Sequence, residues 1–270
     1  MTKAVPILAL CLALAAPALA ADSSYVKSVQ DWRAQSEARL RKDNGWLTLA
    51  GRYPMKPGAN TFGTAKDNDI VFPAGLGPAH MGTIDVAPKH VEVKLAPGVE
   101  MTQDGIAMTD KVMGFDPENP DWVAIGRIAF HVIERDGNYV LRLADNQSEV
   151  RKHFVGRVWY PVNEGFRVPA KFVAYDPPHE LEIVDVIGED EGLFFVFRDA
   201  TAGKTTYPPG RFLYVEKKPA PNATFMLDLN RAYNPPCAFS AFTTCPLPPK
   251  QNVLKVGVEA GEKYPPRKKS

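Results

Sequence analysis

The densest polar pattern in this 270-residue chain lies in three C-terminal strings: TTYPPGR (205–211), LDLNRAYN (227–234) and VEAGEK (258–263). The side chains singled out there are Tyr207, Arg211, Asp228, Asn230, Tyr233, Asn234 and Glu259. A carboxylate such as Asp228 or Glu259 can serve as a base and a phenol such as Tyr207 or Tyr233 as an acid. Arg211 can fork onto an anionic group. The same set can instead hold a polar ligand, or simply bond the backbone of loops that lack a hydrogen-bond ladder. Strand alternation in 224–230 puts Phe225, Leu227 and Leu229 on one face and Met226, Asp228 and Asn230 on the other. In 253–259, Leu254, Val256 and Val258 oppose Lys255, Gly257 and Glu259. The polar faces are therefore expected to converge beside the Pro-rich loop 233–249 as a candidate ligand-binding surface. No catalytic residue is assigned. Arg142 and Arg151 are two further cations that suit an ion pair, or an acidic ligand where one is left unpaired in a pocket.

That loop carries Cys237 and Cys245. An even pair in an exported chain favours a disulfide. A half metal site and a pair of free thiols are the competing readings. There is no CxxC, and the nearest histidine in sequence, His179, is far away.

Other chemistry is missing from the sequence. It has no HExxH, GxSxG, Walker loop or helix-opening GxGxxG. Of seven serines after residue 20, only Ser148 and Ser240 are placed to act as nucleophiles, and neither sits in an elbow motif. His80, His90, His131, His153 and His179 show no pair at metal-ligand spacing. No metal and no cofactor are expected.

The elements that would position these groups are mostly strands. There are 25 prolines, about 9% against a usual ~5%, and five Pro-Pro doublets, which bar long helices from the second half. Residues 23–43 read as one helix, capped by Ser23 and stopped at Asn44-Gly45, with Tyr25, Val29, Trp32, Ser36 and Leu40 at steps of three and four. From Trp46 the period becomes two. His90–Leu95 alternates without a fault, and Arg127–Arg135, Asp136-Gly137 and Asn138–Ala144 form a hairpin. Further strands are expected at 60–62, 70–72, 83–86, 172–175, 181–187, 193–197, 212–216, 224–229 and 253–259. The fold class is mainly β, an antiparallel sandwich or barrel with one N-terminal helix.

Residues 1–20 have Lys3, an apolar run and Ala18-Leu19-Ala20, the pattern of a secretory signal peptide cleaved between Ala20 and Ala21. An uncleaved anchor is the rival, but the run is short and followed at once by Asp22. Cys11 follows Leu10, not the small residue a lipoprotein needs. The organisation expected is signal peptide 1–20, helix 21–45, a sandwich-like part 46–113, a β-rich part 114–263 with the signature, and a frayed tail 264–270. The boundary is drawn at the turn-rich MGFDPENP (113–120). Removing Lys3 with the signal leaves 31 basic and 31 acidic residues, so nucleic acid is not an expected partner. The mature chain is expected to have no membrane span.

The strings TTYPPGRFLYVE, LDLNRAYNPPCAFSAFTTCPLPPKQN and VEAGEK resemble domain-of-unknown-function family 1684, as do GWLTLAGRYPMKPGANTFGTAKDNDIVFP and LRLADNQSEVRKHFVGRVWYPV. The resemblance covers roughly residues 31–262 and brings no activity with it. Between Gly188 and Phe197 the chain is shorter than is usual for that family. More weakly, Phe62 to Met108 resembles a forkhead-associated β-sandwich through Asp67-Asn68-Asp69-Ile70-Val71. Phosphothreonine readers of that fold have an arginine after the glycine, where this chain has Thr64 after Gly63, and a serine where it has Gly77 before His80. The resemblance is one of shape. The expected function is that of an exported β-rich protein that binds a small molecule or envelope component. The alternatives are a hydrolase or lyase working by carboxylate and tyrosine acid–base chemistry, and a structural or protein-interaction module.

Overall fold

Asp22, not Ser23, caps the first helix. In the computed structural model, its carboxylate accepts the Ser24 N–H at 2.9 Å, and helix α1 runs Ser23–Leu40. A carboxylate one position earlier meets the free N–H groups and the positive end of the helix dipole. Tyr25, Val29, Ser36 and Leu40 are its buried face. Asn44 takes the left-handed conformation after the helix, at φ 59°. The structure describes residues 22–116, 119–135, 137–173 and 192–264. The signal segment, Asp136 of the hairpin turn, His179, the strand expected at 181–187 and the tail beyond Tyr264 lie outside them.

Strands β1 (Leu49–Pro54), β2 (Gly58–Gly63), β3 (Ile70–Val71), β4 (Gly82–Ala87), β5 (His90–Leu95), β6 (Met101–Gln103), β7 (Ile106–Met108), β8 (Asp110–Val112), β9 (Val123–Ile125), β10 (Ile128–Arg135) and β11 (Asn138–Asp145) form two sheets. One has the order β3-β2-β4-β5-β8 and the other β1-β11-β10-β9-β6-β7. All pairings are antiparallel except β2 with β3. Alternate residues of both sheets enter one core. At its centre Phe62 lies edge-on to Phe130 and tilted to Phe72, each at 5.8 Å between ring centres. This is a sandwich of two open sheets, not a closed barrel. The turn-rich 113–120 segment joins β8 of one sheet to β9 of the other, and its first residue, Met113, shares the core with Val123 of β9.

After a short helix, α2 (Glu149–Lys152), two strand pairs follow. β12 (Arg167–Lys171) pairs with β15 (Thr224–Asp228), and β13 (Leu193–Phe197) pairs with β14 (Arg211–Val215). A smaller core of Phe197, Leu213, Ala232, Val258 and Ala260 lies here. The strand expected at Val253–Glu259 does not form. Val253 makes a single bridge to Arg198, Leu254 and Val256 are exposed, and the Val258 N–H donates to the Asp199 carboxylate at 3.1 Å. A side chain has taken the bond that a ladder would have used. No helix among the described residues is long and apolar enough to cross a membrane.

Candidate functional site

Strand β15 ends at Asp228 because the chain turns there into a short 3-10 turn, Leu229–Arg231, capped by the Asp228 side chain. Asp228 Oδ1 accepts from Tyr25 Oη at 2.9 Å and from both the backbone N–H and the Nδ2 of Asn230 at 3.1 Å. Asn230 is fully buried. Its Nδ2 also donates to Tyr25 Oη at 3.0 Å and to the Asn163 carbonyl at 2.8 Å, and its Oδ1 accepts the Asn163 N–H at 3.0 Å. Every polar atom of the amide is thus used within the protein. Burial, with Asp228 beside it, pushes the Tyr25 hydroxyl pKa well up. The knot fastens α1 to the C-terminal part. On its open side Asp228, Tyr25, Arg167 and Arg231 line a groove of about 300 Å³. The Arg167 guanidinium lies 4.2 Å over the Tyr25 ring, and Arg231 Nε is 3.5 Å from Asp228 Oδ2.

Arg211 is spent elsewhere. It is 1% exposed, its Nη2 lies 2.8 Å from Asp199 Oδ2, and it donates to the carbonyls of Val258 and Ala260. Asp199 in turn accepts from Thr201 N at 2.9 Å and from Val258 N. Arg211 and Asp199 therefore hold the VEAGE segment in place without a sheet. Asn234 donates its N–H to Glu262 Oε2 at 2.7 Å and its Nδ2 to the Lys263 carbonyl at 3.0 Å. Glu262 and Arg157 pair at 3.0 Å with both side chains 2% exposed. Burial pushes the Glu262 carboxyl up to about 7 against the pull of Arg157. Tyr233 stands between Trp32 and Phe212, and burial pushes its hydroxyl up to about 12. Tyr207 donates to the Cys237 carbonyl at 3.1 Å, and Cys237 and Cys245 are joined in a disulfide.

The nominated residues thus fall into several groups. Asp228 and Asn230 share one knot, Asn234 bonds Glu262, Arg211 pairs with Asp199 and also donates to the Glu262 carbonyl, and Tyr207 belongs to the disulfide loop. Glu259 is exposed whereas Asn230 is fully buried, so Asn230 does not share an open polar surface with Glu259 as expected. The buried carboxylate of VEAGEK is Glu262, three residues beyond the one nominated; without a strand at 253–259, alternation cannot select it. Among the described residues no three of His, Cys, Asp and Glu gather to hold a metal.

A cavity lies at one end of the sandwich and was not visible in the sequence. It measures about 640 Å³ and is walled by Met55 and Pro57 between β1 and β2, Val86 to Lys89 at the β4–β5 turn, Phe115 after β8, and Glu134, Gly137, Asn138 and Tyr139 beside the β10–β11 turn. Lys89 takes φ 58° so that its N–H can donate to Tyr139 Oη at 2.7 Å. Phe115 meets the Tyr139 ring edge-on at 5.4 Å. Glu134 Oε1 accepts the Gly137 N–H at 2.6 Å, which fastens the hairpin turn. The walls are mainly apolar, with Lys89 and Glu134 at the rim. A volume of this size and lining suits a small molecule.

Among solved structures, this chain is similar to the solution structure of the uncharacterized protein from gene locus rrnAC0354 of Haloarcula marismortui. The identity is 17% over 89% of this chain and 94% of that one, with a TM-score of 0.34. No curated protein matches. Residues 180–263, which carry TTYPPGR, LDLN, NPPC, CPLPP and VEAGEK, match the family model described as "Protein of unknown function (DUF1684)", so the resemblance read from those strings is shown over that stretch.

Proposed function

We propose that this protein is an exported binding protein whose ligand, a small and largely apolar molecule or envelope component, enters the cavity at the end of the sandwich. The observation that carries this reading is the cavity of about 640 Å³, whose walls come from four connections at the same end of the two sheets. Its lining includes the packed Phe115–Tyr139 pair and the core side chains Met55 and Val86, and a wall already packed limits the cost of closing around a ligand. Export rests on the apolar run and Ala18-Leu19-Ala20 of the first twenty residues. The disulfide suits an oxidising compartment.

Native mass spectrometry of protein purified from its own periplasm tests both parts. The expected spectrum shows a mature chain beginning at Ala21 that carries a retained small molecule. Ala87→Trp, which fills the cavity from the β4–β5 turn, should remove that added mass while the fold persists. Retention unchanged by Ala87→Trp would move the ligand elsewhere. The Asp228 groove is the second reading, favoured because Asp228 and Arg231 share its lining with Arg167; it predicts that Arg167→Ala, not Ala87→Trp, abolishes retention.

A further inference from the structure

Arg142, half-buried, differs in its partners from four arginines that each meet a carboxylate, two of them with fully buried side chains and two half-exposed. Arg157 meets Glu262, Arg211 meets Asp199, Arg127 meets Asp145 and Arg151 meets Asp43. Arg142 has no hydrogen bond and no ion pair among the described residues, and its Nε is shielded from water without an acceptor. It lies in the middle of β11, with Arg52 of β1 directly opposite on one side and His131 of β10 on the other. Leu141, Leu143, Phe130 and Val132, the sequence neighbours of Arg142 and His131, fill the shared core, so this row occupies the outer face of the six-stranded sheet. The two charges near enough to act on Arg142 are Arg52 and Arg135, and both repel it. His131 is 6% exposed, stacks 4.2 Å from the Trp122 ring, and has no partner for Nδ1.

Burying part of a guanidinium beside two others costs free energy that an acid would ordinarily offset. Here three adjacent strands supply cations and an imidazole in register and no carboxylate. An oxyanion set between Arg142 and Arg52 would accept the fork of each and cancel their repulsion. We infer that the outer face of the six-stranded sheet is a binding site for a small oxyanion, a carboxylate or a phosphate, centred on Arg142 and flanked by Arg52 and His131. The site lies on the opposite face of β11 from the residues lining the sandwich core, and it does not depend on the end cavity.

Calorimetric titration of the mature chain at fixed ionic strength, with inorganic phosphate, with benzoate and with chloride as control, tests this. Saturable binding of phosphate or benzoate beyond chloride is expected, and the anion that binds tells phosphate from carboxylate. Arg142→Gln should weaken binding at least about tenfold, and Arg52→Gln, at an exposed position, about three- to fivefold. Ala87→Trp should leave it unchanged, which separates this site from the cavity. No saturable binding of either anion, or an affinity unaltered in Arg142→Gln, overturns the inference. Should Arg142→Gln fail to fold, an unaltered affinity in Arg52→Gln overturns it equally.

Discussion

Arg157 and Glu262 face each other at 3.0 Å in a part of the protein where neither side chain reaches water. Arg157 also lies 5.2 Å over the Phe239 ring, and the Asn234 N–H completes the carboxylate. The pair joins a residue of the central VWYP stretch to the C-terminal signature across a sequence separation of 105. Its ionisation therefore bears on how the C-terminal part holds together.

With its carboxyl raised from 4.5 to about 7, folded Glu262 binds more protons than unfolded Glu262 between those values. Its contribution to stability is complete below pH 4.5 and is lost as pH rises through 7. Glu262→Gln cannot titrate, so the melting temperature of wild type relative to this variant should fall from pH 5 to pH 8. The shift corresponds to about 3 kcal/mol at most. A pH-independent difference between the two would show that the carboxyl titrates normally.

His131 should act in the opposite sense. Burial, with Arg142 beside it, lowers its imidazole from 6.5 to about 4, so the folded protein resists its protonation. That stability is present above pH 6.5 and is lost as pH falls toward 4. Wild type should lose ground to His131→Gln over this range in denaturant titrations. Since His131 and Glu262 oppose each other, the wild-type protein alone will show a flatter profile than either variant reveals.

Tyr25→Phe removes the hydroxyl that donates to Asp228 and accepts from Asn230, leaving the half-buried carboxylate short of one donor. A loss of about 1–3 kcal/mol is expected by chemical denaturation. Asp228→Ala, which deprives Tyr25 Oη and Asn230 of a shared acceptor, should cost about 2–4 kcal/mol. If Asp228→Ala melts like wild type, the knot contributes nothing to stability and its residues are free for a ligand.

Protein denatured without reductant should show no free thiol from Cys237 and Cys245. Reducing that bond should cost roughly 2.5 kcal/mol for a loop of this length. Two titratable thiols in the mature chain would rule the bond out.

Phe130→Ala should be the most damaging of the core substitutions, at about 3–5 kcal/mol, because Phe130 touches both Phe62 and Phe72 where the two sheets meet. An intact melting transition would mean that the sheets do not share the core described.

Periodic segments were legible in the sequence. The strands at His90–Leu95 and Leu193–Phe197 lie where alternation placed them, and the Arg127–Ala144 hairpin is displaced by one residue at each outer end. Each has a face against a core, so burial and local pattern agree. Val253–Glu259 has the same pattern but makes only a few backbone bonds to residues 198–200, and beyond Val256 its backbone is held by Asp199 and Arg211. Alternation could not foresee that, because both side chains come from 40 or more residues earlier. Asn230 left the expected polar face for the same kind of reason: Asp228 caps a turn and ends the strand. The end cavity left no local trace, since Met55, Val86, Phe115 and Tyr139 read singly as ordinary core residues and become one wall only through sheet topology. The disulfide, by contrast, followed from a count of two.

Helix α1 precedes by about two hundred residues the groups that bond Tyr25. Tyr25 waits for Asp228 and Asn230, and Arg33 donates to the carbonyls of Tyr160 and Asn230. A ribosome adding about 5–20 residues each second needs roughly 10–40 seconds to cover the intervening two hundred positions. During that interval Trp32, Arg33 and Glu37 can already meet Trp159, Tyr160 and Arg157, but Tyr25 at the start of the helix has no partner until Asp228 and Asn230 follow. A shortened chain ending before Asp228 would therefore loosen the first turns of α1 around Tyr25 as well as its C-terminal part, and proteolysis of such a chain should cut at both.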